Sequence, residues 1–125
     1  MREILFRGKC KTDNEWLYGF PYVTRKNAVK INWYCSEFGS MRTDEVDPET
    51  VEQYTGLTDK NGVRIFEGDI VDYISSDVIG NPKTGTIIVE DMTDYDTMIY
   101  LNHSEELQII GNIHDNPELL NNPSL

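Results

Sequence analysis

Trp16-Leu17-Tyr18-Gly19-Phe20-Pro21-Tyr22 sets four aromatic side chains, Trp16, Tyr18, Phe20 and Tyr22, at every second position. That spacing puts all four on one face of an extended chain and on no single face of a helix, so the segment reads as a β-strand. Pro21 has no N–H to give to a ladder, and the strand is expected at a sheet edge or bent there. Downstream, Val29, Ile31 and Trp33 repeat the alternation after Arg25-Lys26-Asn27, which predicts a hairpin turning at those three residues. Upstream, Ile4 and Phe6 alternate with Glu3, Leu5 and Arg7, and Gly8 together with Thr12-Asp13-Asn14 reads as the turn that follows.

The remaining chain continues in the same period. After a polar stretch from Ser36 to Glu45, Asp47-Pro48-Glu49-Thr50 has the chemistry of a capped turn. Val51, Gln53 and Thr55 then predict a short strand, and Thr58-Asp59-Lys60-Asn61-Gly62 a tight reversal, since Asn-Gly supplies positive φ values. Ile65 to Tyr73 reads as a strand broken at Glu67-Gly68-Asp69, Ser75 to Thr84 as a loop, and Gly85 to Glu90, Thr97 to Leu101 and Leu107 to His114 as strands. Asn116-Pro117-Glu118-Leu119-Leu120 reads as a capped helical turn. With about eight or nine short strands and no βαβ spacing, the expected fold is mainly β: a small SH3-like barrel, or paired antiparallel sheets, with one or two short helical turns.

Composition is consistent with one globular domain over residues 1–125. The 125 residues carry 11 Lys and Arg against 22 Asp and Glu, a formal charge of −11, with a mean hydropathy of −0.50. Charge is unevenly placed: residues 1–43, a basic and aromatic-rich hairpin region, hold 8 basic and 4 acidic side chains, while the acidic β region 44–125 holds 3 and 18. The acidic part repels a phosphate backbone, which argues against nucleic acid as its partner. The longest apolar run is Ile87-Ile88-Val89, far below the ~20 residues of a membrane helix. The N-terminal Met1 to Arg7 meets charge again before an apolar leader segment could form, so the expected location is the cytoplasm and no membrane partner is expected. In that reducing compartment Cys10 and Cys35 read as two independent thiols.

Several segments carry a resemblance beyond periodicity. Phe6-Arg7-Gly8-Lys9, Trp16-Leu17-Tyr18-Gly19, the run Asp47 to Gly62, Ile65 to Val71, and Ile110-Gly111-Asn112-Ile113-His114-Asp115-Asn116-Pro117-Glu118-Leu119-Leu120 closely resemble the YopX family. The resemblance covers both ends and the middle, and leaves residues 24–43 and 74–104 unmatched. It implies a protein encoded by phages and bacterial prophages, mainly β, with no established activity and no catalytic or ligand residue to carry over.

Read for chemistry, the individual motifs default to structure. Glu67-Gly68-Asp69 is a strand entry of the kind found in SH3-like barrels, where glycine bends the chain and the acid bonds turn N–H groups. Asp91, Asp94 and Asp96 could attract a hard cation, but Asn102 stands where an EF-hand loop begun at Asp91 needs its terminal Glu. His103 and His114 have no Cys or His neighbour at a zinc-ligand spacing, and Ser75 and Ser76 with His103 are no more than a chance triad composition. No cofactor is expected. The aromatic face, with Arg25, Lys26 and Lys30 beside it, is the one pattern with a nucleic-acid character, because bases stack on rings and phosphates need cations. A strand face of large aromatics is more often core. The two readings differ in whether that face is exposed.

The preferred function is therefore a non-enzymatic interaction or assembly module that binds a host or phage protein or a second copy of itself. Its candidate surface is Trp16, Tyr18, Tyr22, Arg25, Lys26 and Lys30. The alternative is a nucleic-acid role, either single-strand binding by the N-terminal hairpin or charge mimicry by the acidic region.

Overall fold

The computed structural model describes residues 3–76, 79–91 and 94–121. Two compact units divide the chain, residues 1–54 and 55–125. The charge boundary after residue 43 coincides with neither, and the first unit as folded holds 8 basic and 9 acidic residues.

Four strands form an antiparallel meander in the first unit: β1 (Phe6–Lys9), β2 (Trp16–Val23), β3 (Val29–Cys35) and β4 (Ser40–Glu45), in the order β4-β3-β2-β1. β1 also pairs with the start of β5 (Glu52–Thr58) through Phe6↔Gln53 and Arg7↔Glu52. The β2–β3 hairpin turns at the predicted residues, and its turn is closed by Thr24 N–H to the Ala28 carbonyl at 2.8 Å, with Asn27 at φ +64°. Pro21 is accommodated as its chemistry requires. β1 reaches only as far as Phe6↔Gly19, so the stretch of β2 holding Pro21 is paired on the β3 side alone.

Two readings of this unit are corrected. Gly8 lies inside β1, where a Cβ would come within 2.9 Å of Ile31 Cδ1 and 3.2 Å of Val46, so it serves close packing and the turn falls after Cys10. The polar stretch from Ser40 to Glu45 is a strand, in register with β3 from Lys30↔Glu45 to Cys35↔Ser40. Paired on one side and exposed along most of its length, it needs no apolar alternation, which is why the sequence conceals it. The SH3-like barrel is also not formed. Just beyond the ends of β1 and β4 the chain is joined by an isolated bridge, Cys10↔Val46, flanked by Lys11 N–H to Glu45 O at 3.0 Å and Asp47 N–H to Lys9 O at 2.9 Å, and no ladder closes the sheet there. The described residues form two antiparallel sheets with no closed barrel. Ile31 and Val46 are fully buried, and Cys10 and Cys35 are buried free thiols.

At the chain's midpoint Asp47 caps a 3-10 turn, Pro48–Thr50, accepting from Glu49 N–H at 3.1 Å, as its Asp-Pro chemistry predicts.

In the second unit the end of β5 neighbours β6 (Arg64–Phe66), and β7 (Asp69–Ser76) is the centre of a sheet ordered β8-β7-β9, with β8 at Pro82–Ile88 and β9 at Glu106–Asn112. Ile65, Val71, Val89, Leu101 and Leu107 form its core, with Leu57, Tyr73, Ile87 and Ile109 packed against it. Each such side chain contributes about 1.5–3 kcal/mol by burial. The expected loop from Ser75 to Thr84 is shorter, since β7 runs to Ser76 and β8 begins at Pro82; residues 77 and 78 lie outside the described residues. The expected strand from Thr97 to Leu101 is instead helix α1 (Tyr95–His103). Asp94 caps it by accepting from Thr97 N–H at 2.9 Å, and Thr97 and Leu101, one turn apart, are both buried. Thr and Ile in this segment favoured a strand on propensity, and tertiary burial overrode them.

Candidate binding face of the first unit

Strand register decides which aromatics share a surface. Phe20 pairs with Asn32 and Asn32 with Thr43; Tyr22 pairs with Lys30 and Lys30 with Glu45; Tyr34 pairs with Met41. By the alternation of strands, Tyr18, Phe20 and Tyr22 of β2, Lys30, Asn32 and Tyr34 of β3, and Met41, Thr43 and Glu45 of β4 form one face. That face is open: Tyr18 is 50% exposed, Phe20 54%, Tyr22 42%, Tyr34 62% and Met41 61%. The ordinary expectation that such a face is core is thus overturned. The reason lies in the opposite pleat, where Gly19, Ile31 and Cys35 are buried. Gly19 allows the close approach there, because a Cβ at this position would sit 1.9 Å from the Asn32 carbonyl oxygen.

Trp16 behaves differently from its three neighbours. Half-buried, it lies opposite Lys9 of β1, with the Arg7 guanidinium 4.5 Å and the Lys9 ammonium 5.5 Å from its ring. Under it, Arg7 donates from Nε and Nη2 to Glu52 Oε1 at 3.1 and 3.0 Å, both side chains being nearly inaccessible. Trp16 therefore roofs a buried ion pair.

Of the candidate residues, the fold brings Tyr18, Tyr22 and Lys30 onto one surface and puts the exposed Arg25 and Lys26 in the turn just beyond it. Tyr34 and Met41 extend the surface and were not among the candidates. Tyr34 has the opposite parity to Ile31 and Trp33, which was a usable signal; Met41 sat in the unrecognised strand. Glu45 supplies the acid on this face. Its carboxyl is held below the usual range by the hydrogen bond and charge of Lys11, 2.9 Å away, and Lys11 is raised in turn.

The chain matches the family described as YopX protein over residues 5–121. It belongs to the YopX family. Among solved structures, this YopX-family chain is similar to the crystal structure of protein EF1440 from Enterococcus faecalis, with 26% identity over 96% of this chain and 99% of that one and a TM-score of 0.49. No curated protein matches it.

Elsewhere in the YopX-family chain, several of the polar groups flagged in the sequence have local partners. Buried Asp69 accepts from Phe66 N–H at 2.8 Å, which is the turn role expected of Glu67-Gly68-Asp69. Asp94 is the cap of α1, and the side chain of Asp96 lies outside the described residues. Ser76 donates to Glu105 at 2.7 Å. No group of three or more His, Cys, Asp or Glu is gathered to hold an ion among the described residues, and none of their helices is long and apolar enough to cross a membrane. A cleft of about 470 Å³ in the second unit is lined by residues that include Lys60, Asp72, Tyr73, Gly85, Glu106 and Gln108. Within it burial and the neighbouring Tyr100 raise the Tyr73 hydroxyl above its usual pKa, which disfavours a phenolate nucleophile.

Proposed function

We propose that this chain is a non-enzymatic interaction module of phage or prophage origin, acting in the bacterial cytoplasm through the outward face of β2, β3 and β4. The observation that carries the reading is the exposure of Tyr18, Phe20, Tyr22, Tyr34 and Met41 on one face. Contiguous exposed apolar patches on a soluble protein mark interaction sites. These rings stand on paired strands, so little ordering entropy is lost when the face is covered. The β4 edge is less suited to assembly by strand addition. The Lys11 N–H already occupies the Glu45 carbonyl, and two copies paired about Arg42 would set like charges opposite each other.

Site-specific photocrosslinking in bacterial cells tests this. A photoreactive residue replacing Phe20 is expected to give discrete adducts, while the same residue replacing Ile110 of β9 is not. Absence of adducts at Phe20, with the purified variant folded, overturns the proposal.

A further inference from the structure

We infer that the occupant of this face is a single-stranded nucleic acid, a step that rests on the face being the working surface. Tyr18, Phe20 and Tyr22 repeat every second residue of one strand, which spaces their ring positions about 7 Å apart. Bases stacked in a duplex lie about 3.4 Å apart along a strand, so the array cannot receive a continuous stack. It suits bases splayed apart, each on its own ring, as a single strand permits and a duplex does not. Tyr34, adjacent to Met41 on the neighbouring strands, widens the platform.

Cations complete the match at one end of the array. Lys30 lies directly opposite Tyr22, and exposed Arg25 and Lys26 follow in the hairpin turn, where a backbone leaving the Tyr22 position would run. Glu45, across from Lys30, tempers the field. Affinity accordingly comes more from stacking than from charge, and the salt dependence is shallow. Two to three neutralised phosphates on a single strand correspond to a slope of about −1.4 to −2.1 in log affinity against log salt. In the middle of the face, Asn32 Oδ1 is engaged by the Thr43 hydroxyl at 2.5 Å, and base stacking, the main source of affinity, does not read the ribose 2′-hydroxyl, so DNA and RNA strands are expected to bind alike.

Fluorescence anisotropy of the full chain with labelled oligo-dT, oligo-U and a duplex control tests the inference. Oligo-dT and oligo-U are expected to bind with similar affinity and more tightly than the duplex, about 7- to 18-fold more weakly at about 200 mM than at about 50 mM salt. Phe20→Ala and Tyr22→Ala should each weaken binding by about fivefold or more, and Lys26→Gln should lower the salt slope by about one-third to one-half. All three sites are exposed, and a thermal melt establishes that each variant is folded. No binding at low salt, preference for the duplex, or binding indifferent to both aromatic variants overturns the inference. Nuclease-resistant adducts at Phe20 combined with no oligonucleotide binding overturn it while leaving the face as the working surface; absence of adducts removes both.

Discussion

Arg7 and Glu52 stand opposite each other in the β1–β5 pairing, and both nitrogens that Arg7 turns to Glu52 converge on one carboxylate oxygen beneath the Trp16 ring. A charge pair so well covered is costly to break from one side only. Glu52→Leu or Arg7→Met is expected to destabilise the protein by about 3–5 kcal/mol, since each removes one half of a buried charge pair. The double variant Arg7→Met/Glu52→Leu should recover much of that loss. Urea unfolding of the four proteins measures the coupling.

Acid sensitivity is expected to trace in part to Asp59. Burial alone would raise its carboxyl, but N–H groups of Val63, Ile109 and Asn61 outweigh that and hold it below the usual aspartate value. Its stabilising contribution is thus fully present above the unfolded value of about 3.9 and is lost as pH falls through the lower native value. Asp59→Asn should cost about 1–3 kcal/mol at neutral pH and flatten the decline in urea midpoint between neutral pH and pH 3.

Gly62 closes the Asp59–Gly62 turn at φ +80° with open space around it. Backbone strain is therefore the only obstacle to a side chain, and Gly62→Val should destabilise by about 1 kcal/mol or more. An unchanged melting temperature would contradict the conformation.

At Gly19 the obstacle is space. A methyl group would collide with the Asn32 carbonyl of the paired strand, and Gly19→Ala should cost about 3 kcal/mol by forcing β2 and β3 apart. Near-native stability, measured by thermal unfolding, would show that the hairpin yields without cost.

Where the chemistry is local, the sequence could be read. Asp47-Pro48 caps its turn, Asn61-Gly62 reverses the chain, and the β2–β3 hairpin turns at Arg25 to Asn27 as composition requires. Reading failed where an element draws its stability from elsewhere. Among the described side chains of α1, Thr97 and Leu101 are the buried ones, too few to display a helical period, and β4 depends on β3 for its hydrogen bonds. The candidate face was half legible. Alternation shows that Tyr18, Phe20 and Tyr22 share a side, but not which side is covered, and the glycine at position 19 between bulky rings was the available cue.

Cys10 and Cys35 both belong to the first unit, and residues 55–125 contain no cysteine. Each thiol is buried and unpaired, so a thiol-specific reagent reaches it only when the surrounding strands open. The natural chain thus carries its own clock for opening of the β1–β4 meander: labelling rates report on that half of the molecule without any engineered probe.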